Sequence, residues 1–466
     1  MAFVVVLGLG KSGIAAARLL MKQGKQVVIL EERNSIQLNK LAADLLKEGI
    51  KVSLGVSLNY SSLKEFLPLT RIITSPGIFW NHPALNYCRE QGIPICGDTT
   101  LAWEVCRKTP WIAITGTNGK TTVTHLVGHI LSYAGLDAPI CGNIGIPVNE
   151  VILSRQNVGS ALPDWLVVEL SSYQIESTPA LQPQFAIWTT LTPDHLERHG
   201  TLVNYRLIKR SLVEKARYQI LNGNDPDLRA FASMWPQGIW VTTDPNISLF
   251  EHIKPTLWIE AGQVTTQQGP LFSTDCLAML GDHNQQNLLM ATAVGMQIDL
   301  EPALIEKAFR CFPGVPHRLE LIRSYQGICF YNDSKATNFD AAESGVKAVK
   351  ESMVVIAGGQ TKCGSSKAWI KQLRLKTRAI ILFGEARREF SMLLEANQYK
   401  GEVYSCLGLE EAVPLSLSVA LRCQCQAVLF SPACASFDQY KSFEERGDDF
   451  REKVNALTNI NHITLR

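Results

Sequence analysis

The sequence predicts an α/β protein of three domains, each built on a mainly parallel sheet that helices cover. The first observation is the length, because 466 residues exceed what a single hydrophobic core usually organises and favour about three domains. The second observation is that short apolar runs alternate with longer amphipathic runs almost throughout the chain. The third is a pair of glycine-rich loops, each placed between an apolar run and a helical pattern.

Short apolar runs, most of them bounded by Gly, Pro or Asn, predict the strands. Between them, amphipathic periodicity predicts helices such as Ile14–Lys22 and Ala303–Phe309. A more broken stretch, Trp235–Thr274, is rich in Pro, Gly and Thr and predicts an irregular insertion with short strands. The predicted strands are Phe3–Leu7, Gln26–Leu30, Arg71–Thr74, Trp111–Thr115, Trp165–Glu169, Phe185–Thr189, Met353–Ala357, Ala379–Phe383 and Ala427–Ser431.

Turn residues mark two boundaries between the predicted domains. A new segment begins around Cys96–Thr100, before the strand that starts at Trp111. Farther along, two prolines flank Gly314-Val315 within Phe312–Pro316, which suits a linker. The domains are therefore expected at about 1–97, 98–311 and 312–466.

Composition and charge exclude several classes of function. The net charge is +2 and no Lys/Arg run stands out, so neither a nucleic acid nor an anionic membrane is expected as a partner. No apolar stretch approaches the roughly 18–20 residues of a membrane helix. The apolar run Phe3–Leu9 has no basic segment before it, unlike a signal peptide. We expect a cytoplasmic protein, without membrane insertion, whose twelve cysteines are reduced.

The first glycine-rich loop, Gly8–Gly13 (GLGKSG), follows the predicted strand Phe3–Leu7. Glycines let a backbone approach a diphosphate, and the helix that follows directs N–H groups and a positive dipole at it. Glu31, at the end of the next strand, could accept ribose hydroxyls, and Ser75–Gly77 (SPG) could add a backbone contact. The motif predicts a bound nucleotide or diphosphate. Alone it would suggest NAD, so a nicotinamide-dependent oxidoreductase is the main alternative from another class.

The second loop, Gly116–Thr122 (GTNGKTT), follows the predicted strand Trp111–Thr115. A Lys after Gly, followed by two Thr at a helix start, suits a triphosphate with its Mg²⁺. The strict G-x-x-x-x-G-K-T form is absent because Ile114 stands where its first Gly should be. The loop still predicts the use of ATP.

Four polar residues downstream of this loop are candidates for the chemistry of the site. Glu169 closes a predicted strand, and Asp194-His195 follows another, where the carboxyl ends of parallel strands bind ligands. Glu169 is a plausible Mg²⁺ ligand, with a capping carboxylate as the alternative. Lys209 lies in a helical pattern and would by itself be a solvated surface lysine.

Taken together, these features resemble the Mur ligase family, which joins amino acids to UDP-muramoyl precursors. Two stretches, Tyr331–Asn338 and Ser431–Tyr440, resemble the member that adds D-glutamate. The resemblance implies an N-terminal Rossmann-like UDP-binding domain, a central P-loop ATPase domain and a C-terminal Rossmann-like domain. The motifs that carry it occur in order across nearly the whole chain: Thr115–Thr122, Gly142–Gly145, Glu169–Gln174, Asp194-His195, Lys209, Gly281–Asn287, Pro316–Arg318 and Asn332–Asn338.

The resemblance implies an ATP-dependent ligase that adds D-glutamate to UDP-N-acetylmuramoyl-L-alanine through an acyl phosphate, with two Mg²⁺ ions and as a monomer. The implied catalytic residues are Lys120, His195, Lys209 and Lys335, and the implied metal ligands are Thr121, Glu169, His195 and Lys209 as a carbamate. The implied ATP-binding residues are Gly116, Thr117, Asn118, Gly119, Lys120, Thr121, Thr122, Asn284, Asn287, Arg318 and Asp333. The implied UDP-substrate residues are Gly10, Lys11, Ser12, Glu31, Arg33, Ser75, Gly77 and Asn143. The implied D-glutamate residues are Lys335, Thr337, Lys362, Ser436 and Phe437.

Alternative functions remain at this point. Within the same superfamily, the chain could be another Mur ligase or a folylpolyglutamate synthetase-like ligase, although Ser431–Tyr440 and Asn332–Asn338 argue against both. An oxidoreductase would not need the second phosphate loop. A nucleotide-binding switch without enzymatic activity is a third option. One departure from the family pattern is Gln360-Thr361 before Lys362, where an acid and a Gly are often found.

Overall fold

A computed structural model describes residues 3–247, 253–279, 281, 283–361 and 364–458 of the protein. They form two compact units. The first unit contains the described residues of Met1–Leu277 together with Gln285–Phe312, and it holds two sheets. The second contains those of Ala278–Asn284 and Pro313–Arg466, and it holds the third sheet. The predicted α/β class is confirmed.

The first sheet has five parallel strands in a doubly wound order, β3-β2-β1-β4-β5. Its elements are β1 (Phe3–Leu7), α1 (Lys11–Lys22), β2 (Gln26–Glu31), α2 (Ile36–Lys47), β3 (Lys51–Leu54), α3 (Tyr60–Lys64), β4 (Leu69–Thr74), α4 (Pro83–Glu90) and β5 (Ile95–Gly97). The strand order reverses between β1 and β4. Ligands of such folds bind at this switch point, outside the carboxyl ends of the strands.

The second sheet has nine strands in the order β14-β13-β12-β11-β10-β9-β6-β8-β7. Its strands are β6 (Trp111–Thr115), β7 (Ile140–Gly142), β8 (Leu166–Glu169), β9 (Phe185–Trp188), β10 (Tyr218–Asn222), β11 (Ile239–Thr242), β12 (Leu257–Glu260), β13 (Gln263–Thr266) and β14 (Gly269–Ser273). Its helices are α5 (Asp98–Val105), α6 (Lys120–Tyr133), α7 (Val148–Val158), α8 (Ser172–Glu176), α9 (Leu196–His199), α10 (Leu202–Val213), α11 (Pro226–Ala230), α12 (His283–Gln297) and α13 (Pro302–Arg310). The stretch predicted to be irregular, Trp235–Thr274, supplies β11 to β14 and so extends this sheet.

The third sheet has six strands in the order β15-β16-β20-β17-β18-β19, parallel except for β15. Its elements are β15 (Glu320–Tyr325), β16 (Ile328–Asn332), α14 (Phe339–Ala348), β17 (Met353–Gly358), α15 (Lys367–Lys376), β18 (Thr377–Phe383), α16 (Arg387–Ala396), β19 (Glu402–Ser405), α17 (Leu409–Arg422), β20 (Ala427–Phe430) and α18 (Phe443–Asn455). The loops after β16 and β20 leave the same edge because these parallel strands are neighbours.

The burial of a strand explains whether the sequence pattern predicts it. Every residue of β6 and of β17 is buried, so both strands read as continuous apolar runs. The edge strands β3 and β19 are partly exposed and carry polar residues, and neither was predicted. Helix α1 also begins three residues before the predicted start at Ile14, because its first turn contains the polar end of the glycine-rich loop.

In the first unit, the first two sheets are joined by packed helices and by backbone hydrogen bonds. Helix α1 packs against α7 and α5. The amide of Gly97 donates to the carbonyl of Ser177 at 2.8 Å, and a Cβ on Gly97 would lie 2.2 Å from the Ser177 hydroxyl. Only a glycine therefore allows this close approach.

Two further features of the described residues concern membrane-spanning helices and cysteines. None of their helices combines the length and the apolar character needed to cross a membrane. Every cysteine among them is free, and most are buried, as expected for reduced thiols that pack as small apolar residues.

Candidate active site

The phosphate loop leaves β6 and ends at the start of α6. Gly116 and Gly119 have φ angles of 147° and 84°, in the region that favours glycine. A Cβ on Gly116 would lie 2.0 Å from the Thr189 hydroxyl, so the loop packs tightly against the end of β9. The amides of Thr117 and Asn118 donate to the carbonyl and hydroxyl of Thr190, at 2.8 and 2.9 Å. Thr189 and Thr190, which follow the neighbouring strand β9, thus hold the phosphate loop in place. Helix α6 begins directly at the end of this loop.

Lys120 begins α6 and folds back over the loop. Its ammonium group donates to the carbonyls of Gly116 and Thr117, both at 2.9 Å. A phosphate in the loop would offer this cation stronger, charged acceptors than two carbonyls. Thr121 and Thr122 follow in the first turn and are both buried. The arrangement is suited to binding a polyphosphate.

Glu169 ends β8, which lies directly beside β6. One carboxylate oxygen accepts a hydrogen bond from the Asn143 side chain at 3.0 Å, and the Asn143 amide donates to the Glu169 carbonyl at 2.9 Å. The other oxygen, Oε2, is buried and has no hydrogen-bond partner. Such an oxygen is costly unless something pairs with it. A hard divalent cation is the partner that this position suits.

His195 precedes α9 with a φ of 53°. Its Nδ1 lies 3.0 Å from the hydroxyl of Tyr173 on α8. The Asp194 carboxylate lies 3.4 Å from its Nε2. The side chain of His195 is 44% exposed, which leaves the imidazole accessible to a ligand. Although Tyr173 lies within a motif noted in the sequence, its contact with His195 was not predicted.

Lys209 is only 1% exposed, so the default expectation of a surface lysine is wrong. Its ammonium group donates to the Thr115 hydroxyl at 3.2 Å and to the Gly116 carbonyl at 3.0 Å. It also lies 4.6 Å from the ring centre of Tyr205. Burial, reinforced by the charge of Lys120, lowers the pKa of Lys209 well below its usual value. The amine therefore lies against the phosphate loop in an environment that favours its neutral form.

These described side chains do not by themselves form a complete metal-binding site. In the described part of the chain, no three His, Cys, Asp or Glu side chains come together as a metal-binding group. Mg²⁺ usually takes one or two carboxylates and completes its shell with substrate phosphates and water. A single buried carboxylate beside a phosphate loop is thus compatible with Mg²⁺ bound together with a nucleotide.

The loop after β1 faces the end of β4, as the switch point requires. A Cβ on Gly13 would lie 2.1 Å from the Gly8 carbonyl, so glycine is needed at this close turn. The Ser75 hydroxyl is buried and has no hydrogen-bond partner. Gly10 and Gly77 are exposed, and nothing within 4 Å would meet a Cβ on either. The loop therefore has open backbone on the side where a diphosphate is predicted.

Two acidic residues, Glu31 and Asp98, lie beside the loop that follows β1. Glu31 accepts hydrogen bonds from the Leu9 amide at 2.9 Å and from Arg33, whose Nε lies 2.9 Å away. The Arg33 guanidinium holds the pKa of Glu31 down at about 2. Asp98, which the sequence did not single out, is buried near Ser12, and burial raises its pKa to about 6. Glu31 thus stabilises the loop that follows β1. The ribose contact predicted for Glu31 would be a second role.

Replacing Glu31 with glutamine is expected to lower the free energy of unfolding by about 2 kcal/mol at pH 7. The ionised carboxylate stabilises the fold above its unfolded pKa of 4.5, and this contribution is lost as the pH falls towards the folded pKa of about 2. Urea unfolding between pH 7 and about pH 3 should therefore show that the difference in unfolding free energy between the wild type and Glu31→Gln becomes smaller below pH 4.5. Glu32→Gln, at the exposed neighbouring position, is the control and should change little. A difference between the wild type and Glu31→Gln that stays constant with pH would contradict this role of Glu31.

In the second unit, Asp333 and Arg318 lie near the loops that follow β16 and β20. Asp333 accepts a hydrogen bond from the Ser431 hydroxyl at 2.8 Å, and burial raises its pKa to about 7. The Nε of Arg318 is buried and has no hydrogen-bond partner. Asn284, at the start of α12, also belongs to this unit and is buried. Asn287, on the same helix, belongs to the first unit and is buried there. Buried groups such as Arg318 Nε are candidates for contact with a ligand.

The residues predicted for D-glutamate lie in or beside the same two loops, except for Lys362, which falls outside the described residues. Lys335 places its ammonium group 5.7 Å from the ring centre of Phe443, a residue that the sequence did not single out. Ser436 is buried, whereas Phe437 is 67% exposed. Thr337 follows Lys335 closely, and its amide donates to the Lys335 carbonyl at 2.9 Å.

Arg446, on α18, connects these loops and was not predicted to matter. It is fully buried, and its Nη2 and Nε donate to the carbonyl and hydroxyl of Ser334 at 2.8 and 3.1 Å. Its Nη1 donates to the carbonyls of Cys434 and Ala435 at 3.1 and 3.0 Å. Burial lowers the pKa of Arg446 to about 10. The guanidinium therefore fixes the spacing of the loops after β16 and β20.

Comparison with known proteins adds family evidence. The model for the "Mur ligase MurD-like, N-terminal domain" matches residues 2–97, and that for the "Mur ligase middle domain" matches residues 114–295. The UDP-N-acetylmuramoylalanine–D-glutamate ligase of Prochlorococcus marinus is 49% identical over 459 residues, which cover 98% of this chain and 99% of that protein. The enzyme of the same name from a Synechococcus strain is 48% identical over 455 residues, covering 97% and 98%.

Solved structures agree on the fold. The crystal structure of a UDP-N-acetylmuramate–alanine ligase from Thermotoga maritima aligns with 98% of this chain and 100% of its own length. The TM-score is 0.59 and the sequence identity 18%. At this identity the likeness extends to the fold alone.

Proposed function

Because this chain belongs to the Mur ligase family, we propose that it joins D-glutamate to UDP-N-acetylmuramoyl-L-alanine and converts ATP to ADP and phosphate. The observation that carries the proposal is the 49% identity, over nearly the full length of both chains, to a ligase named for this reaction. The site supports it, because the first unit contains both a glycine-rich loop suited to a diphosphate and a phosphate loop with Lys120. We expect the reaction to take place in the cytoplasm.

Each predicted domain has one main part in this proposal, although Asn143, Arg318 and Asp333 are predicted to contact a ligand held mainly by another domain. Residues 1–97 hold the UDP-linked substrate, residues 98–311 hold ATP, and residues 312–466 receive D-glutamate. The open backbone near Gly10 and Gly77 supports the first role, and Lys120, whose side chain folds back over the phosphate loop, supports the second. The Arg446 guanidinium, which fixes the two loops around Lys335, supports the third.

The reaction proceeds in two steps that the described residues can assist. An oxygen of the alanyl carboxylate attacks the γ-phosphorus of ATP, which forms an acyl phosphate and releases ADP. The amine of D-glutamate then attacks the carbonyl carbon, loses a proton, and displaces inorganic phosphate. Both steps bring anions together, so the chain mainly supplies positive charge and alignment. Lys120 is placed to neutralise the phosphates, and His195 is held in orientation by Tyr173.

Mg²⁺ fits this site on the evidence of Glu169, whose buried Oε2 has no hydrogen-bond partner. Thr121 and Glu169 would hold one ion, and His195 with carbamylated Lys209 would hold a second. When bound, these ions supply charge neutralisation between the carboxylate and the phosphates. The burial of Lys209 supports the carbamate, because a neutral amine is the form that reacts with CO₂.

The choice of amino acid tests the proposed function. With ATP and UDP-N-acetylmuramoyl-L-alanine present, D-glutamate is expected to give the ligated product at least about a hundredfold faster than L-glutamate, L-alanine or meso-diaminopimelate. The reason is that a site built to pair with polar groups rejects ligands that leave those groups unpaired. Mass spectrometry of the UDP-linked product gives the answer directly. Comparable rates with L-alanine or meso-diaminopimelate would assign the chain to another branch of the family.

A further inference from the structure

One arginine in the first unit lies where the loop that follows β4 meets the helices of the second sheet. Arg198, on α9, donates from Nη2 to the carbonyl of Ile78 at 2.9 Å. Its guanidinium carbon lies 4.9 Å from the ring centre of Phe79. Only 10% of its side chain is exposed. Ile78 and Phe79 directly follow Ser75 and Gly77, which are the residues proposed to contact the UDP-linked substrate.

The same guanidinium also contacts helix α8. Its central carbon lies 4.6 Å from the ring centre of Tyr173, so the cation is near two aromatic rings. Its Nη2 is 3.5 Å from the carboxylate of Glu176, which is itself only 16% exposed. The hydroxyl of Tyr173 is the group that lies 3.0 Å from His195 Nδ1. A continuous series of contacts therefore runs from the loop after β4, through Arg198 and Tyr173, to His195.

A second arginine holds the same loop without that connection. Arg89, on α4, donates to the carbonyl of Trp80 at 2.8 Å, and its guanidinium carbon lies 4.3 Å from the Trp80 ring centre. Arg89 therefore supports the loop from α4, and its charge acts on Glu176 of α8, as that of Arg198 does. The two arginines make the same kinds of contact with neighbouring residues of one loop, and only Arg198 also contacts Tyr173.

We infer that Arg198 is a positioning residue that couples the UDP-substrate loop to His195. With the loop in its substrate-bound position, Arg198 holds the Tyr173 ring, and the Tyr173 hydroxyl holds the imidazole where the alanyl carboxylate meets the γ-phosphate. Arginine suits this role because its planar group stacks on rings while it donates at its edge. This inference rests on the proposed function and names the residue that aligns its first step.

The matched variants Arg198→Lys and Arg89→Lys test the coupling, because each keeps one positive charge and loses the planar guanidinium. ADP release is measured at saturating ATP and D-glutamate while UDP-N-acetylmuramoyl-L-alanine is varied. Both variants are expected to raise the KM for the UDP-linked substrate, because both loosen the loop. Only Arg198→Lys is expected to lower kcat, by about tenfold, because only it misaligns His195. Phe79→Leu, which removes one ring from Arg198, should show the same pattern more weakly if Arg198→Lys does not fold.

A double-mutant cycle with Tyr173→Phe isolates the link, since this change keeps the ring and removes the hydroxyl. In that background, Arg198→Lys should lower kcat by less than about twofold, because the contact with His195 is already lost. A tenfold loss that persists in that background would overturn the inference, and so would equal kcat values for the two lysine variants. If the wild type released no ADP with these substrates, the proposed function would fail, and this inference with it.

Discussion

Replacing Lys209 with alanine is expected to lower kcat by about a thousandfold. Lys209 is buried against the phosphate loop, with its amine 3.0 Å from the Gly116 carbonyl. A protonated amine there would repel Mg²⁺, whereas the product of the amine with CO₂ is an anion with two hard oxygens. The substitution therefore removes a proposed metal ligand and not only a positive charge.

Chemical rescue separates these two roles of Lys209. Acetate or formate should restore part of the activity of Lys209→Ala, because a small carboxylate can occupy the place of the carbamate. Methylamine should not. Lys215→Ala is the control, since Lys215 is exposed shortly after the same helix and should stay within about twofold of wild type. Rescue by the amine alone would show that Lys209 acts as a cation.

Replacing Arg446 with methionine is expected to lower the free energy of unfolding of the second unit by about 3–5 kcal/mol. Methionine fills much of the space and supplies no donors. The carbonyls of Ser334, Cys434 and Ala435 would each lose a hydrogen bond from a buried guanidinium. Because these carbonyls belong to the loops proposed to receive D-glutamate, we also expect the KM for D-glutamate to rise about tenfold.

Urea unfolding of Arg446→Met and of a matched control on the same helix measures this effect. Arg451→Met is the control, because Arg451 is 31% exposed and pairs with Glu320 and Asp448 near the surface. Its loss is expected to cost less than about 1 kcal/mol. Equal destabilisation by the two substitutions would contradict the role given to Arg446.

Much of the fold follows from sequence because the central strands are buried on both faces. Strands such as β6 and β17 consist of residues that must be apolar, and glycine-rich turns mark where a chain leaves the sheet. The positions of the second glycine-rich loop and of Glu169 were likewise predictable, because both lie at strand ends, and their roles stay predictions. The prediction failed at edge strands such as β3, where partial exposure permits polar residues.

The remaining parts of the site depend on contacts between distant residues. Arg446 lies over a hundred positions after Ser334, and no local pattern distinguishes a buried arginine from an exposed one. Asp98 lies near Ser12 of the glycine-rich loop only because α5 packs beside α1. Arg198 resembles any charged residue of a short helix until its two aromatic neighbours are known. Such residues are found from the structure and not from motifs.

The path of one oxygen atom tests the proposed reaction most directly. UDP-N-acetylmuramoyl-L-alanine labelled with oxygen-18 in its alanyl carboxylate is incubated with ATP, D-glutamate and the protein. If the carboxylate attacks ATP, each inorganic phosphate released carries one oxygen-18 atom, and the ligated product forms in equal amount. This transfer should require both the UDP-linked substrate and D-glutamate. Release of unlabelled phosphate during product formation, or ATP cleavage at the same rate without either substrate, would contradict the acyl phosphate route.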